Sequence, residues 1–306
     1  MIKSGDTWPG AWPELPVEKP DIRLVGIDLD DTMLTDELII TPRTKEAIWA
    51  ARRQGVVVTI ATGRMFESSL PYAKELELDV PLITFQGALI VKPDGHIISH
   101  RPLDHEISLE VLDFLMSYNC HVTMYIHDTL YLEETSAETE RYRSRIRVKF
   151  HVVPSLRALL AERLEGATKY VFMADEDMVR KVLADFEARF DGRAQAVPSK
   201  PTFLEISRYD TGKGVALAEM AEEMGFSRQQ VMAIGDSPND LDMLAYAGWG
   251  ICMANGADTA KEKARWITAS NNEDGVAVAI EHLVLARPSP MPIAQPGRGM
   301  RGRSIC

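Results

Sequence analysis

Residues 24–34 read LVGIDLDDTML, an apolar run that passes directly into the carboxylates Asp28, Asp30 and Asp31. Such a run marks a buried strand, and the Thr41-Pro42 pair after it is an N-cap followed by proline at the first helical position. Gly55 stops that helix, and VVVTIA at 56–61 is a second, β-branched strand. An amphipathic segment from about Phe66 to Leu76 then leads to PLITFQ at 81–86. Strands alternating with helical patterns imply a parallel sheet covered by helices, the doubly wound α/β class.

After Gly87 the pattern changes. ALIVKP (88–93) and HIISHR (96–101) flank Asp94-Gly95, a turn dipeptide between apolar runs that signals a β-hairpin. A helix near 106–118, strands near 121–133, a charged helix near 136–147, a strand at 169–173, a helix near 176–190 and strands near 193–207 are expected next. They read as a separate α+β unit inserted into the first. From Lys213 the parallel rhythm resumes, with a helix to about Met224, strands at 231–235, 250–253 and 266–268, intervening helices, and a closing helix from about Gly275 to Leu285. The expected organisation is an irregular leader over 1–20, a core of 21–86 with 208–286, an inserted unit over 87–207 and a flexible basic tail over 287–306.

A chain of 306 residues fits two compact units at roughly 150 residues each. Its net charge of -11 argues against nucleic acid as a partner, because that affinity comes from Lys and Arg displacing counterions. Cys120, Cys252 and Cys306 form no CxxC pair, which suggests neither a disulfide framework nor a zinc site and fits a reducing cytoplasm. The first residues lack the apolar stretch of a secretory signal, and no run approaches the ~20 apolar residues of a membrane span. A cytoplasmic protein without a membrane partner is expected. His121, His127 and His151 lack metal-ligand spacing and are assigned ordinary structural or surface roles, as is the basic run at 140–149, read as a solvated helix face.

The chemistry concentrates where strands end, which is where ligands bind in an open α/β sheet. Side chains alternate along a strand, so Asp28 and Asp30 share one side while Leu29 points away. Two carboxylates so close require a proton or a cation between them, and a hard ion such as Mg²⁺ would serve. A loop of capping aspartates is the bland alternative. The second strand ends in Ala61-Thr62-Gly63-Arg64, where backbone N–H groups of a strand-to-helix turn can bind an anion, although an N-cap explains Thr62 equally well. Lys213 stands in Thr211-Gly212-Lys213-Gly214 at a helix start. A P-loop is excluded there, since position 207 is Ser and Gly follows the lysine. VMAIG at 231–235 runs into Asp236-Ser237-Pro238-Asn239-Asp240. Asp236 and Asp240 could bind a divalent cation beside Asp28, whereas capping by Ser237 or Asn239 would leave both acids unexplained.

Together these segments, in this order, resemble the haloacid dehalogenase (HAD) superfamily, in its Cof-type, type IIB branch, over roughly residues 22–286. DLDDTML is similar to its motif I, ATGR to motif II, Lys213 to motif III and GDSPND to motif IV. The resemblance implies a Rossmann-like core and a phosphatase acting on small phosphate monoesters, such as sugar phosphates or pyridoxal phosphate. It implies that Asp28 attacks the phosphoryl group, Asp30 is general acid and then base, and Thr62, Gly63 and Lys213 hold the phosphate. Mg²⁺ would be bound by Asp28, the backbone carbonyl of Asp30, and Asp236, with Asn239 and Asp240 in support. Only 31 residues (positions 31 to 61) separate Asp30 from Thr62, too few for a cap domain. The insertion between Thr62 and Lys213 therefore resembles a type C2 cap. Two departures stand out: Asp31 where glycine is common, and Gln86-Gly87-Ala88 where Asn-Gly-Ala is frequent. A phosphotransferase and a catalytically silent phosphometabolite sensor are the alternative readings.

Overall fold

The computed structural model describes residues 20–135 and 149–285. The leader through residue 19, the charged helix expected near 136–147 and the tail lie outside the described residues. The central parallel sheet contains β1 (Leu24–Ile27), β2 (Val57–Ile60), β12 (Val231–Gly235), β13 (Trp249–Cys252) and β14 (Trp266–Ile267), in the order β14-β13-β12-β1-β2. Both faces are covered, as continuous apolar strands require. Val25 and Ile27 pack with Ile48 and Ile280 on one face, while Leu24 packs with Leu217 and Leu244 on the other. Helix Pro42–Arg53 begins as expected, with Thr41 Oγ1 accepting from the Thr44 N–H.

Strand β3 (Leu82–Thr84) touches β2 through one parallel bridge, Ala61 to Ile83. It pairs antiparallel with β4 (Leu89–Val91), which pairs in turn with β5 (Ile97–His100). The Asp94-Gly95 hairpin thus extends from β3. The cause is local: Phe85, Gln86 and Gly87 have φ of 51°, 56° and 89°, reversing the chain so that β4 returns alongside β3.

The second large layer is a sheet of β6 (His121–Ile126), β7 (Thr129–Leu132), β8 (Phe150–Val152), β9 (Lys169–Met173), β10 (Ala194–Lys200) and β11 (Phe203–Arg208), ordered β10-β11-β9-β6-β7-β8. Period-two alternation divides its residues. Val122, Met124, Tyr170, Phe172, Leu204 and Ile206 face the helices His105–Met116 and Glu176–Phe190. Tyr125, Val171 and Met173 face the other way, onto Phe85, Leu89 and Val91. The same alternation turns Lys169 and Glu205 towards the parallel sheet. No helix among the described residues is long and apolar enough to cross a membrane.

Candidate active site

Strand β1 leads on to β2 on one side and has β12 on the other, so the crevice at their carboxyl ends is a topological switch point. Asp28 is the first residue past β1, and its N–H donates to Ile234 O at 3.0 Å. The strand ends at Ile27, before the first carboxylate, because the chain turns over Leu29–Met33. Asp31 within that turn has φ 57° and ψ 10°, and its carbonyl accepts from Asn255 Nδ2 at 2.7 Å. This left-handed conformation accounts for Asp where glycine is common, since Asp and Asn enter that region more readily than most residues.

Lys213 opens the helix Lys213–Glu223, which packs directly on β1. A Cβ at Gly26 would lie 2.9 Å from Leu217 Cδ1, so the glycine permits that approach and brings the lysine over Asp28. Lys213 Nζ donates to Asp28 Oδ1 at 2.7 Å and to Asp240 Oδ1 at 2.6 Å. All three side chains are buried. The other oxygen of Asp240 accepts from the N–H groups of Asp236 and Ser237, both at 3.0 Å. Asp240 is thus held at both oxygens and shapes the loop that presents Asp236. Asn239 Oδ1 accepts from Ser237 Oγ at 2.5 Å and stands 3.4 Å from Lys213 Nζ.

Across the crevice, Thr62 Oγ1 accepts from the Arg64 N–H at 3.2 Å. Gly63 leaves room for Gln86, whose Nε2 would stand 2.4 Å from a Cβ there. Arg64 makes a two-pronged pair with Asp30, at 2.7 Å from Nε and 2.6 Å from Nη2. Arg64 is buried, while Asp30 remains 37% exposed. Nothing in the sequence tied these two residues together, although both stand in quoted motifs.

The second layer closes over this bed. Lys169 Nζ donates to Gly63 O at 2.7 Å and to Glu205 Oε2 at 3.0 Å. Gln86 Oε1 is buried without a hydrogen-bond partner. A cavity of about 110 Å³ is lined by Asp28, Asp30, Thr62, Gly63, Asp236 and Asn239 from below and by Ser199, Lys200, Phe203 and Glu205 from above. Of the expected site residues, six line it, while Lys213 and Asp240 lie beneath Asp28. Lys169, Glu205 and Phe203 escaped sequence reasoning because only strand register aims them here.

Burial raises Asp28 well above the usual carboxylate range, Lys213 opposes that shift, and Asp240 and Asp236 add to it. Burial, followed by the charge of Asp240, pushes Asp236 up to about 7, against a hydrogen bond from Thr32. Asp28, Asp236 and Asp240 bring carboxylate oxygens within 4.8 Å of one another. Three buried acids against one lysine leave excess negative charge, and an all-oxygen donor set suits a hard divalent cation such as Mg²⁺. The residues present therefore fit that ion.

The family model for haloacid dehalogenase-like hydrolases matches residues 25–280. The chain is 33% identical over 268 residues to the 5-amino-6-(5-phospho-D-ribitylamino)uracil phosphatase YcsE of Bacillus subtilis, covering 88% of this chain and 98% of that one. It is 32% identical over 266 residues to the phosphatase YitU of the same organism, named for the same substrate, covering 83% and 94%. A crystal structure from Thermotoga maritima shares the fold with a TM-score of 0.74 at 29% identity, over 85% of this chain and 97% of that one. With the family model spanning both halves of the parallel sheet and the inserted α+β cap between them, the chain belongs to the haloacid dehalogenase-like hydrolases, among the Cof-type phosphoric monoester hydrolases.

Proposed function

We propose that the protein hydrolyses small phosphate monoesters, with Mg²⁺ as cofactor, through a phosphorylated Asp28. The observation that carries this reading is the position of Asp28, buried at the switch point, hydrogen-bonded to Lys213 and open to a cavity shared with Asp30, Thr62 and Asp236. Asp28 forms a bond to phosphorus as the ester P–O bond breaks, and the leaving oxygen takes a proton from Asp30. Water then attacks the phosphorus, gives its proton to Asp30, and releases inorganic phosphate and free Asp28. Both oxygens of Asp30 accept from Arg64 in this structure, so Asp30 must let go of one of them to carry the proton.

Thr62, Gly63 and Lys213 hold the phosphate oxygens, the lysine as a buried point charge. Asp28, Asp236 and the backbone carbonyl of Asp30 would hold Mg²⁺, with Asn239 and Asp240 keeping the loop and Lys213 in place. Bound there, Mg²⁺ would neutralise phosphoryl charge and align the ester with Asp28. The core of 21–86 with 208–286 carries this chemistry, and the cap, residues 87–207, supplies selectivity. Gln86, Lys200, Phe203 and Glu205 suit a leaving group that combines a flat ring with hydroxyls. The ribitylamino-uracil phosphate for which YcsE and YitU are named has that chemistry, as part of a class that includes sugar phosphates and pyridoxal phosphate. Such water-soluble substrates, and cysteines without a disulfide framework, agree with a cytoplasmic site of action.

The test is release of inorganic phosphate from a panel of these esters with Mg²⁺ or EDTA, using Asp28→Asn as control. Release that requires both Mg²⁺ and Asp28 supports hydrolysis. Asp28→Asn should lower turnover at least about 10³-fold with the fold retained, and wild-type-like turnover would overturn the assignment. A new ester without free phosphate would instead identify a phosphotransferase.

A further inference from the structure

We infer that His100, His127 and Glu165 form a second metal site, selective for a borderline transition cation of the Zn²⁺ or Co²⁺ type. These residues come from three distant segments: the end of β5, the turn between β6 and β7, and the loop before β9. Each offers one ligand atom, and the three atoms lie within 4.8 Å of one another. His127 Nε2 stands 2.5 Å from Glu165 Oε1, and the two imidazole centroids are 4.5 Å apart. Thr168 Oγ1, 2.9 Å from His100 Nε2, fixes the orientation of that ring.

The donor set decides the ion. Two imidazoles and a carboxylate are a zinc-type triad, whereas Mg²⁺ prefers oxygen alone. The site shares no residue with the aspartate cluster. His100 and Glu165 also line an open cavity of about 540 Å³, which leaves room for water as a fourth ligand. Sequence spacing could not reveal the site, because the ligands stand 27 and 38 positions apart (100 to 127, 127 to 165) and meet only through the fold.

The neighbours of the ligands suggest what the ion does. Asp128, next to His127, accepts from the Phe66 and Glu67 N–H groups on the catalytic side. Lys169, next to Thr168, holds Gly63 O. A cation joining β5, the β6–β7 turn and the 165 loop would therefore brace the cap where it meets the core, while keeping a water-accessible coordination position.

The probe is Co²⁺, titrated into full-length, chelator-stripped protein with Mg²⁺ in excess. A four-coordinate site containing imidazole gives intense visible d–d absorption, unlike an all-oxygen, six-coordinate centre. The expected result is one equivalent of intense absorption, abolished by Zn²⁺ competition. His100→Ala and His127→Ala should each weaken Zn²⁺ binding beyond the roughly 10–100-fold that loss of a supporting partner costs. His127→Ala should keep cooperative melting and Mg²⁺-dependent phosphate release, and Asp236→Asn and His121→Ala should keep the band. Absence of the band in folded wild-type protein, or its persistence in His127→Ala, would overturn the proposal and leave only a histidine–glutamate ion pair.

Discussion

Lys213 neutralises Asp28 and Asp240 with a single ammonium, so Asp236 is the acid in the cluster left to a hydroxyl, Thr32, for its side-chain hydrogen bond. Asp236→Ala should therefore raise the Mg²⁺ concentration for half-maximal phosphate release at least about tenfold. An unchanged magnesium titration would remove Asp236 from the metal site. Cys252 makes a different test. Burial pushes its thiol up to about 12 from 9.0. Between those values the unfolded chain loses the proton and the folded one keeps it, so Cys252 contributes stability below pH 9 that is lost as pH rises through 12. Cys252→Ala should flatten the fall of denaturation midpoint between pH 9 and 11, and an equally steep fall would refute the shift. The gathering of Asp28, Thr62 and Asp236 around one cavity was legible because each was expected just past a strand end. The Arg64–Asp30 pair was not, because a two-pronged contact between residues 34 positions apart leaves no spacing signal.

At the scale of elements, helix Phe66–Glu75 begins at Met65, which has no side chain able to cap it. Its first N–H groups are satisfied by Asp128 from the β6–β7 turn, at 2.7 and 2.8 Å. Asp128→Ala should cost about 1 kcal/mol and lower the melting temperature by about 2–4 °C. A melting curve superimposable on wild type would show that the cap is dispensable. The core strands announced themselves as short, buried apolar runs, as at 24–27, 57–60 and 231–235, and the hairpin by Asp94-Gly95. Strand β8 did not, since none of its three residues is buried, nor did the helix Leu156–Ala161, which buries only Leu156 and Leu160. The partner of the hairpin was hidden for another reason. It depends on consecutive left-handed residues, two of them not glycine, after β3.

For the whole molecule, the ion pair of Lys169 with Glu205 lies within the cap, almost fully buried at 2% and 14% exposure, and Lys169 Nζ also donates to Gly63 O in the loop after β2, which ties the cap to the core. Lys169→Met strands the carboxylate and should cost about 3–5 kcal/mol. The double variant Lys169→Met with Glu205→Leu should recover most of that loss in chemical denaturation, and equal stability of single and double variants would argue against the pairing. The arrangement of strands also sets an order of events during synthesis. β1 lies between β2 and β12, and its partner Val231 follows Leu24 by more than two hundred residues. The six-stranded layer is complete in the nascent chain at Arg208, before β12 has been made. On the ribosome the cap can assemble first, while β1, which leads into Asp28, waits with one edge unpaired. A chain stalled before residue 231 therefore holds every strand of the cap sheet but neither β12 nor the Asp236 and Asp240 that follow it.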